Sequence, residues 1–314
     1  MENKNISFEV SIIIISYNNF NLLKSCLNSI YKHIDGFSFE VIVVDNNSTD
    51  LGLEDVISEF ENLKLIRNES NLGFSKANNQ GVEIAKGENI LLLNNDTELL
   101  DDSILEILKF VKNSTQPTIG AAKLQNIDFS FQPSAYKFPS LSRLIFSNLF
   151  FEIVFKNVSQ FNKYYLRIDE EYVPQIVNSV IGAFMIMKKE TFINLGGFDE
   201  EFFFYHEDTD LCYRLTKSGG KTVYFPQISV IHVGGASTKQ IQWFQLKNKV
   251  IARFKYFYKH YPLYYYLFAI IIEHCGNLVR SIIYSILGVV TFNTEKFELA
   301  KYYMKALTLS RKSK

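Results

Sequence analysis

Apolar and polar positions follow two rhythms along the first half of the chain. Residues 10–16 form a continuous β-branched run, as a strand buried on both faces requires. Tyr17, Asn18 and Asn19 break that run, and Leu22, Leu23, Cys26, Leu27 and Ile30 then recur at helical spacing. The same reading predicts strands over 39–44 and 63–67 with a helix over 53–60 between them. A loop at 71–74 and a helix over 75–86 lead into a fourth apolar strand, 90–93. A helix over 101–112 and a strand over 119–124 follow. Strands alternating with helices of about 8–12 residues imply an α/β fold with a parallel, doubly wound sheet.

The pattern then weakens. Residues 125–175 lose clear periodicity, contain Pro133 and Pro139, and suit helices or a flexible insertion. The sheet resumes over 177–187 around Gly182. Gly196 and Gly197 break the next helix, and an amphipathic helix carrying Leu211 and Leu215 begins at Glu207, Asp208 and Asp210. Two short strands, 221–225 and 229–233, come next. From 239 to 261 the chain reads as a basic helix with Lys247, Lys249, Arg253, Lys255 and Lys259 among aromatics. Two uncharged runs, 261–272 and 281–294, follow with Arg280 between them.

Each of these runs falls short of the roughly 20 residues that a spanning helix needs. With cationic flanks and many tyrosines they suit helices lying in the membrane interface. The competing readings are a helical pair packed on the α/β domain or on a second subunit, and one tilted span.

Composition narrows the classes. With 314 residues and 47% hydrophobic content, the chain can build one large α/β domain with an appendage. Its formal net charge is zero, so no electrostatic case for nucleic-acid binding exists. Cys26, Cys212 and Cys275 are too few and too far apart for a disulfide framework or a structural zinc, and they suit a reducing compartment. The first apolar run is short and has no A-x-A-like site after it, so it is expected to be a strand and not a signal peptide.

Candidate chemistry gathers where apolar strands break into polar residues. Residues 90–93 end abruptly in Asn94-Asn95-Asp96-Thr97. A carboxylate at the carboxyl end of a buried strand sits where open α/β sheets bind ligands, and it suits a hard divalent cation. The alternative is a turn with a helix cap. Asp45 closes the second strand, as a partner for a base N–H or ribose hydroxyl, or as an Asx-turn. Asn71, Gly73 and Asn78 surround the next loop: Gly73 supplies a positive φ, and Asn78 contacts a ligand or faces solvent. A dinucleotide-binding Rossmann site is excluded, because the first strand-to-helix turn, residues 16–20, has no glycine. Further on, Phe202, Phe203 and Phe204 stand close before Glu207 and Asp208, as capping acids or as a desolvated base. His206 is expected to be a neighbour in that loop, and His232 on its strand precedes Gly234 and Gly235.

These motifs, taken in order, resemble the nucleotide-binding half of family-2 glycosyltransferases, most closely their rhamnosyltransferase-like branch. The resemblance rests on residues 11–18, 43–50, 71–79 and 92–97, and on Gly-Gly-Phe-Asp-Glu at 196–200 followed by Glu-Asp-x-Asp-Leu at 207–211. It runs from about residue 10 to about residue 260. It implies the GT-A fold, a Rossmann-like, mostly parallel sheet flanked by helices, with a nucleotide-sugar half over about 8–124 and an acceptor half over about 176–238. The expected domains are 1–240 and a C-terminal helical extension over 241–314. By resemblance, Asp45 contacts the nucleotide base, Asp96 is the metal-binding member of a D-x-D-like motif, and Asp208 is the catalytic base supported by Glu207 and Asp210. Asn94 stands where many relatives carry the first Asp of that motif. Ser16, Tyr17, Asn71, Gly73, Asn78, Asn94 and Asn95 complete the expected nucleotide-sugar site, and His232 joins Asp96 as a metal or diphosphate ligand. Oxygen plus imidazole ligation suits Mn2+ or Mg2+ over zinc.

The expected activity is inverting transfer of a sugar from a nucleotide-diphospho-sugar, dTDP-rhamnose or a UDP-hexose. The expected acceptor is a hydroxyl of a glycan or lipid-linked glycan in surface polysaccharide synthesis, at the cytoplasmic face of the cell membrane. Two alternatives carry different chemistry. A sugar nucleotidyltransferase would need a basic, Gly-rich triphosphate loop, which residues 16–20 do not offer. A catalytically silent nucleotide-sugar-binding module would have no use for Asp96, Asp208 and His232 together.

Overall fold

The computed structural model describes residues 8–50, 52–148, 173–234 and 242–313. These fall into two compact units. An α/β unit takes residues 8–137, 173–203 and 207–234, and a helical unit takes 138–148, 204–206 and 242–313.

The α/β unit is built on one mixed sheet. Strands β1 (Val10–Ser16), β2 (Phe39–Asp45), β3 (Leu63–Arg67) and β4 (Asn89–Asn94) run parallel in the order β3-β2-β1-β4. Their crossovers are helices α1 (Phe20–His33), α2 (Leu53–Ser58) and α3 (Phe74–Ile84). Ile12, Ile13, Ile14, Val41–Val44 and Ile90–Leu92 are fully buried, as a sheet covered on both faces demands. Next come β5 (Thr97–Leu99), helix α4 (Ile104–Asn113) and β6 (Thr118–Gln125). A predicted turn running directly into a helix at 101 is therefore corrected. Thr97–Leu99 is a strand, because it pairs with the end of a later strand that local pattern cannot reveal.

Beyond β6 the strand direction mixes. The predicted strand over 177–187 is three short ones, β9 (Gln175–Val177), β10 (Ser179–Val180) and β11 (Phe184–Lys188), with a turn at 181–183. β10 pairs with β8 (Ala135–Tyr136), while β11 inserts antiparallel between β4 and β6. The two predicted strands at 221–233 are one, β12 (Lys221–His232). Its register against β6 shifts between Phe225 and Ser229, around Pro226, which has no N–H to donate to a ladder. Short β7 (Phe131–Gln132) pairs with β6. Helices α6 (Lys189–Asn194) and α7 (Glu207–Lys217) complete the unit, and residues 149–172, within the aperiodic stretch, lie outside the described residues.

The helical unit contains α5 (Leu141–Asn148), α8 (Gln242–His260), α9 (Leu263–Thr291) and α10 (Thr294–Ala306) around a core of Leu144, Val250, Phe254, Phe257 and Ala269. The two apolar runs predicted as separate helices are one helix, α9. Glu273 and Arg280, which interrupt its hydropathy, point inward to partners and do not end it.

Candidate active site

Register fixes the first row of the site. In the parallel ladder Ser16 lies beside Asp45, and Ile15 lies beside Asn94, so Ser16, Asp45 and Asn94 close three neighbouring strands at one end of the sheet. Ser16 and Asp45 are buried there and Tyr17 is exposed. Asp45 Oδ1 accepts from the Ser48 N–H at 3.1 Å, an Asx-turn that leaves its second oxygen unused by this bond. The turns after β1 and β2 are stitched together: Asn18 N–H donates to Ser48 Oγ (2.8 Å) and Thr49 N–H to Asn18 Oδ1 (2.9 Å). Phe20 N–H, at the start of α1, donates to Asp50 Oδ2 at 3.0 Å. A carboxylate thus occupies the helix end where a dinucleotide fold would seat its pyrophosphate.

The 71–79 motif packs onto the Gly-Gly-Phe segment of the same unit. Gly73 has φ +83°, and a Cβ there would meet Phe203 O at 2.6 Å, so both conformation and space demand glycine. Asn71 Oδ1 accepts from Gly73 N–H at 2.9 Å, and Phe74 N–H donates to Phe203 O at 3.0 Å. Asn78 does not face solvent: it is buried, and its amide donates to Phe74 O within its own helix at 2.9 Å. Asn79 makes the long-range bonds, donating to Phe198 O (2.9 Å) and accepting from Phe198 N–H (3.0 Å). Asn46 holds the loop from the other side, donating to Gly73 O at 3.1 Å and accepting from Asn68 at 2.9 Å.

Asp96 and His232 meet at the corner where β4 passes into β5. His232 pairs with Thr97 in the β12–β5 ladder, which brings its Nε2 to 3.3 Å from Asp96 Oδ1. Both side chains are nearly buried. Gly234 N–H donates to Asp96 Oδ2 at 3.1 Å and orients the carboxylate. Asn94 Nδ2 lies 3.2 Å from His232 Nε2, while Asn95 is half-buried in the turn.

Gln132 sets the imidazole. Its amide nitrogen donates to His232 O (3.1 Å) and Asn126 Oδ1 (2.9 Å), so its oxygen faces His232 Nδ1 at 2.6 Å. Nδ1 therefore carries the ring proton and Nε2 a lone pair. That lone pair lies within reach of both the Asn94 amide N–H at 3.2 Å and Asp96 Oδ1 at 3.3 Å, so oxygen and imidazole donors stand side by side. The donor set fits a hard divalent cation. No group of three or more His, Cys, Asp or Glu side chains gathers among the described residues, and Asp96 and His232 are a pair.

The second carboxylate site sits at the start of α7. Asp208 Oδ2 accepts from Gly182 N–H at 3.0 Å, and its Oδ1 accepts from Thr209 Oγ1 at 3.1 Å. A Cβ on Gly182 would meet the Phe74 ring at 3.2 Å, which makes this predicted strand centre a tight turn under an aromatic face. Desolvation raises the Asp208 pKa above the ordinary 3.8 against these hydrogen bonds. Glu207 is buried with Oε2 unpartnered. Desolvation first, and then the charge of Asp208, push its pKa well above 4.5. Asp210 is different: it pairs with Arg214 at 2.7 Å, and Arg214 donates to Gly197 O at 2.8 Å, clamping the Gly-Gly turn. Tyr205 and His206, directly before Glu207, hold φ +73° and +65°, a strain of order 1–3 kcal/mol each. Burial, with the charges of Arg253 and Lys249, pulls the His206 pKa down to about 3, so this imidazole is neutral near pH 7.

Sequence reasoning assigned no role to Asn46, Asp50, Asn79, Gln132 or Arg214. Arg214 had a legible signal in its i,i+4 spacing from Asp210. Gln132 had none.

A parallel sheet with polar strand ends, followed by an antiparallel return that brings a histidine to an acid, is the GT-A architecture. Among solved structures, that of GalNAc-T7 with UDP, GalNAc and Mn2+ matches 98% of this chain and 56% of its own at a TM-score of 0.59 and 18% identity. Residues 11–196 match the family model described as Glycosyl transferase family 2, and residues 155–243 match the one described as N-terminal domain of galactosyltransferase. The chain is 28% identical over 231 residues to the rhamnosyltransferase WbbL of Escherichia coli K12, covering 71% of this chain and 83% of the relative. It is 30% identical over 211 residues to the N-acetylglucosaminyl-diphospho-decaprenol L-rhamnosyltransferase of Mycobacterium tuberculosis H37Rv, covering 63% and 67%. The chain belongs to glycosyl transferase family 2.

Proposed function

We propose that this glycosyltransferase moves a sugar, with inversion, from dTDP-rhamnose or a UDP-hexose to a hydroxyl of a glycan or lipid-linked glycan in surface polysaccharide synthesis. The rhamnosyltransferase relatives support the donor class, and the diphospho-decaprenol in one of their names supports a lipid-linked acceptor at the cytoplasmic face of the membrane. Ser16, Tyr17, Asp45, Asn71, Gly73 and Asn78 are assigned to the nucleotide side, with Asn94 and Asn95 beside the diphosphate. The observation that carries the reading is the Asp96–His232 contact, a lone-pair pair of oxygen and imidazole beside the polar strand ends. When bound there, Mn2+ or Mg2+ would neutralise charge growing on the departing diphosphate.

The protein's own residues supply the rest. Asp208 Oδ2 accepts one hydrogen bond, from Gly182, and keeps a lone pair for an acceptor O–H. As the acceptor oxygen bonds to the anomeric carbon, the bond from that carbon to the diphosphate breaks, and the hydroxyl proton passes to Asp208. A carboxylate whose pKa is raised by desolvation is a stronger base for this transfer than one in water. Glu207, whose Oε2 is unpartnered, stands beside it, keeps the locale desolvated and orients the acceptor.

Thermal shift with UDP, dTDP, GDP and ADP, each with and without Mn2+, tests the reading. One nucleotide should raise Tm only with the metal, by an amount set by about 2.7 kcal/mol at a hundredfold excess over Kd. An equal shift without metal would remove the cation from the mechanism.

A further inference from the structure

Helix α9 is inside out. Glu273, Asn277 and Ser281 are buried within the helical unit, with Gly276 and Ala269 beside them. Glu273 and Ser281 have partners inside the unit, while the Asn277 amide nitrogen is buried without one. Glu273 accepts from Arg253 and from Asn148 Nδ2 (3.2 Å), Arg280 donates to Asn148 Oδ1, and Ser281 donates to Ala300 O (2.9 Å). The opposite side is apolar and open: Leu267, Phe268, Ile271, Ile282, Ile286 and Val290 are each 49–69% exposed. With exposed Cys275 and Leu278 between Ile271 and Ile282, they recur at three- and four-residue steps, a continuous stripe roughly 35 Å long from Leu267 to Val290. A contiguous apolar stripe on an outer face marks an interaction surface.

Charge decides what covers it. Residues 242–313 hold eleven Lys and Arg against three Asp and Glu, a surplus of eight positive charges in a chain whose net charge is zero. A second copy would bring like charge to like charge. Anionic headgroups would complement it. Orientation follows from α10. Besides the Ser281–Ala300 bond, Tyr284 stacks on Tyr303 with centroids 5.6 Å apart. The exposed pair Lys301–Glu298 therefore rides on a helix bound to the second half of α9. By length and composition α9 is able to cross a membrane, but a span would carry that charged helix into hydrocarbon.

We propose that the outward face of α9 lies flat in the interfacial layer of an anionic bilayer, apolar side down, without crossing it. This deepens the membrane part of the proposed function and depends on no particular donor. Cys275 is the exposed cysteine, and Cys26 and Cys212 are buried, so the full-length chain takes one environment-sensitive fluorophore on α9. The labelled protein should co-sediment and shift to the blue with phosphatidylcholine–phosphatidylglycerol vesicles, and bind phosphatidylcholine alone at least about tenfold more weakly. Ile271→Glu and Ile282→Glu should each cost about tenfold or more in vesicle binding, roughly what one lost apolar anchor implies, with Tm retained. Labels moved to Leu267→Cys and Ile286→Cys in a Cys275→Ser background should be quenched equally by lipids brominated at one depth. Unequal depths would mean a span and overturn the proposal. So would failure to bind anionic vesicles, or a lipid-free dimer that protects Cys275 in sedimentation equilibrium. The nucleotide-dependent Tm shift, measured on the same samples, shows separately whether the glycosyltransferase reading stands.

Discussion

Two apolar stretches of this chain meet opposite fates. Ile90–Leu93 vanishes into the middle of the sheet with Leu92 fully buried, while much of Leu263–Thr291 stands open. Hydropathy alone ranks them together. The difference lies in where polar residues fall. Strand β4 has none between Asn89 and Asn94, so both faces are buried and polarity collects at its ends, Asn94 at the one where a ligand can use it. Helix α9 places Glu273, Asn277 and Ser281 at four-residue steps, one stripe of a helix, and partners on α5, α8 and α10 satisfy Glu273 and Ser281. At the strand ends of the α/β unit polar groups gather at one rim, Ser16, Asp45 and Asn94. In the helical unit Glu273 and Ser281 are paired inside, and the apolar side is what remains outside.

The sharpest way to break this comparison is a matched truncation. Leu92→Ala should lower the unfolding free energy by about 2–5 kcal/mol, and Leu267→Ala should change it by no more than about 0.5 kcal/mol, both by urea denaturation. Equal losses would mean that the face of α9 is covered within the chain. A smaller effect separates polar groups held for a ligand from those held for each other. Gln132→Ala frees the His232 ring, and Mn2+ affinity measured by electron paramagnetic resonance should fall about ten- to a hundredfold with little change in Tm. Unchanged affinity would make Gln132 a packing residue only.

The smallest effect concerns Glu207. Folding raises its pKa, so the folded state holds a proton that the unfolded chain has lost. Stability should therefore decline as pH climbs from the ordinary 4.5 through the raised value. Glu207→Gln should flatten that decline in Tm measured against pH. A steeper decline would contradict the burial.

The sequence made β1 to β4 legible because each strand is a short apolar run closed by polar residues, and a parallel sheet repeats that signal. Asp96 and His232 stood out from motif context, and the register that joins them, Thr97 against His232, became visible only in the structure. Gln132 was hidden because its bond to His232 spans 100 residues from a segment without periodicity. Gly182 looked like the centre of a strand because Val180 and Phe184 flank it with apolar residues, although the chain turns there toward Asp208. Helix α9 was read as two pieces because Glu273 and Arg280 resemble breaks until their partners are known.

Single-turnover transfer by Asp208→Asn, with donor binding measured on the same preparation, tests the central claim most directly. The amide keeps the shape and loses the base, so metal-dependent nucleotide binding should stay within about twofold while transfer falls by roughly 10²–10⁴. Transfer near the unmodified rate with intact binding would contradict the assignment of Asp208 as the base.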